Sequence, residues 1–499
     1  MMEAKLAQLK AHYAEYHDLA SVAALLDWDQ QTLMPHGGGP ARARQSALVG
    51  RLAHEKLTDP EFGRLLDGAR PYVDTLPHDH DDAALVRVAR REYERAVKVP
   101  PAFVAEMYAH ANETFQTWER ARPANDFAAV RPLLEKTLDL TRQYAEYFAP
   151  FDHIMDPLID ESDYGMSVAT IQPLFEQLQG QLVSLVDAVM AEPPADDSCL
   201  KQTFADAAQW QFGLEVAKGI GYVFERGRLD RAAHPFTTGF SLGDVRITTR
   251  VNERDLGEAL FSTIHECGHA MYEQGINPAY EATPLGGGTS SGVHESQSRL
   301  WENIVGRSLD FWRYYYPRLQ QVFPEQLEST PLETFHRAIN KVQRSLIRTD
   351  ADELTYNLHV MIRFGLEADM LEGRLAVKDL PDAWNAAYKR DLGIEPPDDR
   401  NGCLQDVHWY SMRIGGMFQG YTLGNIMSAM FFDAALTAHR EIPAQMREGR
   451  FDTLLGWLRE NIYQYGSKFT AAELVRRMTG GELTIGPYIN YLRTKYNGM

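Results

Sequence analysis

Leu256-Gly257-Glu258-Ala259-Leu260-Phe261-Ser262-Thr263-Ile264-His265-Glu266-Cys267-Gly268-His269-Ala270-Met271-Tyr272 is the stretch on which the reading of this chain turns. Leu260, Ile264, Cys267 and Met271 recur three and four apart and no proline interrupts them, so the spacing predicts a helix, with Gly275 as its stop. Residues four apart on a helix lie one above the other on one face. His265 and His269 can therefore bind one metal ion between them, and Glu266 beside the first can reach a water on that ion. The competing reading is a surface helix with two solvated histidines. Cys267 falls between the two histidines and faces away from a metal, so it reads as a small core residue.

A catalytic zinc takes three protein ligands and keeps one position for water. The turn signal Gly286-Gly287-Gly288-Thr289-Ser290-Ser291-Gly292 is followed by a second predicted helix, Val293 to Glu302. Glu295 lies far enough beyond His269 for the chain to reverse and set one helix beside the other. Two histidines plus a glutamate from a second helix is the thermolysin-like ligand set. His294 and Glu302 compete with Glu295 for the third place. Adjacent helical residues point about 100° apart, so His294 and Glu295 do not both face one metal.

Beyond this region helical periodicity dominates, in Met2–Leu26, Asp81–Val97, Pro101–Arg120, Phe127–Phe148, Ile171–Met190 and Thr334–Met370. Strand signals concentrate between Gly221 and Val251. Thr237–Leu242 and Val245–Val251 alternate about a Gly243-Asp244 turn and predict an antiparallel hairpin next to the metal helix. Its edge strand can hold an extended peptide over the metal, or the hairpin can simply cover the core. The fold class expected is mainly α with one small antiparallel sheet.

At 499 residues and 44% hydrophobic content the chain can bury a large core. The one candidate break, Ala191–Ser198, reads as a loop within a single unit. A formal net charge of −19 argues against nucleic acid as a partner. No segment has the length and apolarity of a membrane span. Met1 to Leu19 is amphipathic and charged, unlike a signal peptide. Three cysteines with no pairing pattern suit a reducing compartment, so the expectation is a cytoplasmic protein.

Taken together, several segments resemble the carboxypeptidase Taq family of metallocarboxypeptidases over nearly the whole chain. They are Leu26-Asp27-Trp28-Asp29, Met34-Pro35, Gly37-Gly38, His234-Pro235-Phe236, Asp244-Val245-Arg246-Ile247-Thr248, the metal helix, His294-Glu295-Ser296-Gln297-Ser298, Ile347-Arg348-Thr349-Asp350-Ala351-Asp352 and Gly402-Cys403-Leu404-Gln405-Asp406-Val407-His408-Trp409. The resemblance implies a helical zincin-type peptidase (gluzincin, neurolysin-like): one peptidase unit over 1–499, two lobes flanking a deep active-site groove, and a homodimer. It implies a metal-dependent carboxypeptidase that releases single C-terminal residues from peptides with broad specificity. The cofactor expected is one Zn2+ per chain, with Co2+ or Mn2+ able to substitute.

With His265, His269 and Glu295 as ligands, the fourth position holds a water whose pKa falls toward neutrality, and Glu266 is its general base. By analogy with related helical zinc peptidases, His408 and Tyr421 are candidates to stabilise the carbonyl oxygen as it gains charge. Each can equally be a packed core residue. A carboxypeptidase must read a free carboxylate, a task suited to the planar fork of arginine. Arg348 is the first candidate and Arg246 the second. Asp350 and Asp352 can orient the metal-bound histidines, or cap a helix, or pair with Arg348. Two alternatives stand beside the carboxypeptidase: a helical zinc oligopeptidase or dipeptidase that ignores the free carboxylate, and a non-catalytic peptide- or metal-binding protein. Glu266 speaks against the latter, since structural zinc has no use for it.

Overall fold

The apolar periodicity of the sequence is realised as long helices, among them Met2–Thr32, Asp81–Lys98, Pro101–Ala124, Phe127–Glu146 and Val168–Met190. The structure, a computed structural model, describes residues 2–496 and is 69% helical. It divides into two compact units, each assembled from separate stretches of chain. The first comprises Met1–Val97, Asp196–Ile339 and Ser428–Glu482; the second comprises Lys98–Ala195, Asn340–Met427 and Leu483–Met499.

In the first unit the metal-motif helix spans Leu256–Gln274. Asp255 caps it by accepting from Gly257 N, and Leu260, Ile264, Cys267 and Met271 are all buried. A small sheet packs against it. β1 (Leu229–Arg231), β2 (Thr237–Ser241) and β3 (Asp244–Thr249) lie in the order β1-β3-β2. The hairpin of β2 and β3 is antiparallel as expected, with Thr237 opposite Ile247. The sheet as a whole is mixed, which corrects the antiparallel expectation: β1 runs parallel to β3 and pairs Leu229 with Ile247. Three residues are too few to show an alternation, yet they satisfy the polar edge of β3 that the hairpin leaves open. β2 remains an edge strand.

In the second unit the helix Glu353–Leu371 is buried on almost every side, with Leu354 through Phe364 all buried, so it serves as a central strut. The continuous helix expected over Thr334–Met370 does not form. One helix ends at Ile339, and Arg348–Asp350 makes a single 3-10 turn before the strut begins. Asp352 is the reason: its side chain accepts from Leu354 N and Thr355 N and starts a new helix there. The break places Arg348 outside regular helix.

Candidate metal centre and a second charged cluster

Where the metal-motif helix meets Ser291–Arg299, the two backbones come unusually close. A Cβ at Gly268 would lie 2.5 Å from Ser298 Cα and 2.7 Å from Gln297 O, so only glycine fits there. Ser290 caps the second helix through Val293 N, and the chain continues into a wider π-type turn over Leu300–Val305. This contact brings His265, His269 and Glu295 together, with ligand atoms all within 4.8 Å of one another. Glu295 Oε2 is 3.6 Å from His269 Nε2 and 4.0 Å from His265 Nε2. Of the three competitors for the third place, the structure turns Glu295 toward both imidazoles.

The other two stand behind the histidines. Glu302 Oε2 accepts from His265 Nδ1 at 2.9 Å. His294 Nε2 lies 2.6 Å from Glu273 Oε1 and must donate, since a carboxylate only accepts. The neutral ring then accepts at Nδ1, 3.0 Å from His269 Nδ1, which is the donor. In the neutral tautomers these bonds select, both Nε2 atoms carry lone pairs. Asp352, offered for this orienting role, is a helix cap, and Asp350 accepts from Thr349 Oγ1 at 3.4 Å; neither takes it up.

Charge in this pocket follows from its neighbours. Burial pushes Glu295 upward, but Arg299, then His265 and His269, hold it well below the usual carboxylate range. Arg299 donates to Glu295 Oε1 at 2.7 Å and to Glu302 Oε2 at 3.1 Å. Burial likewise opposes the ionisation of Glu302, and Arg299 and His265 overcome it. With both imidazoles neutral, two lone-pair nitrogens and a carboxylate oxygen face one another. Such a set fits a divalent cation.

Glu266 is 6% exposed, and its Oε2 accepts from Thr237 Oγ1 of β2 at 2.6 Å. Cys267 is buried and its thiol is pushed well above its ordinary pKa by burial, in keeping with an inert core position. The glycine run is a packed connection: Gly288 N donates to Glu273, and a Cβ at Gly288 would strike the His294 ring.

The second unit gathers Arg348, His408 and Tyr421. His408 Nδ1 lies 2.6 Å from Asp406 Oδ1, and its Nε2 is 3.3 Å from the Tyr421 hydroxyl. Arg348, 7% exposed, donates from Nε and Nη2 to Asp406 (2.7 and 3.2 Å) and from Nη1 to Tyr356 (2.9 Å). Arg246 sits elsewhere, on β3 of the first unit. It forks onto Asp244 (2.9 and 2.7 Å) with its guanidinium 4.4 Å from the Trp28 ring and 4.8 Å from the Phe240 ring. His234 is exposed at the strand entrance, where Phe236 N bonds Thr248 Oγ1.

The chain is matched over residues 8–496 by the carboxypeptidase Taq (M32) metallopeptidase family. This chain belongs to that family. Thermostable carboxypeptidase 1 of Thermus thermophilus is 41% identical over 491 residues, 96% of this chain and 95% of that one. Carboxypeptidase 1 of Bacillus subtilis is 36% identical over 490 residues, covering 98% of this chain and 96% of its own. The crystal structure of an M32 carboxypeptidase from Deinococcus radiodurans R1 matches with a TM-score of 0.96 at 50% identity, over 99% of each chain. The M32 member described here is accordingly a metallocarboxypeptidase that uses a divalent metal ion and acts on peptides. Thr237, Gly268, Glu273 and Arg299 escaped the reading of its sequence. Only Arg299 left a signal there, four residues beyond Glu295.

Proposed function

We propose that this M32 carboxypeptidase is a zinc enzyme that removes single residues from peptide C-termini with broad specificity, its metal held by His265 Nε2, His269 Nε2 and Glu295 Oε2. The observation that carries the reading is the convergence of these three acceptors beside Glu266. When bound, the metal lowers the pKa of a coordinated water and polarises the scissile carbonyl; Co2+ or Mn2+ can take its place. Glu266, steadied by Thr237, takes the proton from the attacking water and returns it to the leaving amine.

Arg348 is the reader of the substrate carboxylate. Its Nε, Nη1 and Nη2 each donate one bond inside the protein, which leaves one N–H on each terminal nitrogen for a forked contact. Arg246 is the second cation open to that role, though its fork is engaged by Asp244 and its faces by aromatic rings. Asp406 makes His408 Nδ1 a donor, so His408 Nε2 and the Tyr421 hydroxyl share a proton that can be presented to the carbonyl oxygen as it becomes negative.

All three cysteines are free and buried, which suits a cytoplasmic site of action. The net charge of −19 disfavours nucleic acid, and among the described residues no helix is long and apolar enough to cross a membrane. The family resemblance also implies a homodimer, which light scattering of the purified chain tests directly.

The deciding experiment is mass spectrometry of one unstructured peptide supplied with a free and with an amidated C-terminus. Enzyme stripped and reloaded with zinc should shorten only the free acid, one residue at a time. Glu266→Gln should retain metal and lose about 10²–10⁴-fold in kcat. Internal cuts in both peptides would overturn the carboxypeptidase mode and remove Arg348 from its role.

A further inference from the structure

One buried carboxylate in the second unit receives more positive charge than it can balance. Asp406 Oδ2 accepts from Arg348 Nε and from Arg363 Nε, each at 2.7 Å. Its Oδ1 accepts from His408 Nδ1 at 2.6 Å and from Arg348 Nη2 at 3.2 Å. Gln405 braces the same arrangement, its Oε1 accepting from Arg348 N (3.0 Å) and Arg363 Nη2 (2.9 Å). Arg363 is fully buried on the central strut, 4.6 Å from the Trp384 ring, and bonds His359 O through Nη1. It has no route to solvent or substrate.

The nearby titratable groups do not cancel the excess. Glu367, one turn beyond Arg363, accepts from Trp409 Nε1 at 2.7 Å, and burial pushes its carboxyl up to about 8, so it is mostly protonated at neutral pH. His359 is held neutral by burial and by Arg363. Two guanidiniums therefore share one carboxylate. A buried surplus of one positive charge is costly until an anion arrives.

We propose that Asp406 is the joint between carboxylate recognition and oxyanion stabilisation, orienting Arg348 through both oxygens and His408 through Oδ1, and that Arg363, bonded to Oδ2, is the positioning residue that anchors it. The inference rests on the roles given to Arg348 and His408 above. When an entering carboxylate draws on Arg348, Arg363 keeps Asp406 compensated and in place, so His408 does not lose its orientation. A substrate without the carboxylate leaves the surplus charge unbalanced. Charge-pair energetics of this kind fall on binding and turnover together.

The test is a set of double-mutant cycles on the full-length, metal-loaded enzyme, with kcat and KM measured on a free-acid peptide. Arg348→Met should raise KM and His408→Phe should lower kcat; if both leave these values unchanged, the reading beneath the inference falls and the inference with it. Asp406→Asn should change both parameters by about tenfold or more, with metal content unaltered. In the Arg348→Met background its effect on KM should vanish, and in the His408→Phe background its effect on kcat should vanish. Effects that instead multiply independently in the double variants overturn the joint. Arg363→Met should reproduce Asp406→Asn, and Arg363→Lys should recover most of the loss. An Arg363→Met enzyme with altered melting temperature but wild-type kcat and KM would overturn the anchoring role; should that variant fail to fold, Arg363→Lys and the Asp406 cycles still decide.

Discussion

The two charged clusters of this molecule are built in opposite senses. In the first unit, His265, His269 and Glu295 turn acceptor atoms toward a common point, and their donors, Glu302-bound Nδ1 and His294-bound Nδ1, face outward. In the second unit, donors converge: Arg348, Arg363 and His408 all spend hydrogen bonds on Asp406. An acceptor-rich pocket is incomplete without a cation, whereas a donor-rich one with surplus charge invites an anion. In the function proposed, the first drives hydrolysis and the second recognises a chain end. The first cluster depends on an ion from outside; the second holds its geometry with its own residues.

The largest expected effect comes from breaking the acceptor side. Glu295→Gln removes a ligand and a charge together, and should cost more than the roughly 10–100-fold in metal affinity that follows from removing a residue behind a ligand. Competition with a chelator measures it. Glu302→Gln and His294→Phe remove such residues and should each fall within about 10–100-fold. Arg348→Met should leave metal affinity untouched. Equal losses from Arg348→Met and Glu302→Gln would break the contrast between the clusters.

Next in size is a change that tests how the acceptor cluster is assembled. Gly268→Ala would drive a methyl to within 2.5 Å of the Ser298 backbone, and such overpacking costs about 1–3 kcal/mol. The expected outcome is a lower melting temperature together with weaker metal binding, because the strain falls between the two helices that carry the ligands. A lower melting temperature with unchanged metal affinity would show that Glu295 does not depend on that close approach.

The clusters also differed in how legible they were. His265, Glu266 and His269 share one helical turn, so their juxtaposition follows from the period of the helix alone, and Glu295 needed only one chain reversal more. Arg348, Arg363, Asp406 and His408 come from a 3-10 turn, a buried strut, a loop and the short helix that follows that loop. No local period relates them. Asp406 stood inside a stretch that resembled the family, but its part in holding Arg348 and Arg363 depends on tertiary packing. The helix expected over Thr334–Met370 is interrupted for a related reason: its apolar periodicity runs on through Asn340–Ile347, and the capping by Asp352 that starts a separate helix is a local preference the period conceals. The antiparallel hairpin was readable from alternation, and β1, three residues long, was not.

The smallest effect concerns Glu367 and bears on the surplus charge itself. In the first unit, neighbouring cations overcome burial and hold Glu295 and Glu302 ionised. In the second, burial wins, and Glu367 rises from the ordinary 4.5 to about 8. A carboxyl whose pKa is higher in the fold than in the unfolded chain keeps its proton while the unfolded chain gives its own up. Stability is therefore lost as pH climbs from the ordinary value through about 8. Glu367→Gln keeps the acceptor for Trp409 and has no proton to lose, so the variant should match wild type near pH 5 and melt about 1–3 °C higher near pH 8. Melts that run parallel from pH 5 to 8 would mean that Glu367 is ionised throughout. The second cluster would then be neutral, Arg348 and Arg363 each with a carboxylate of its own, and its affinity for an incoming anion would have to come from the geometry of the Arg348 fork alone.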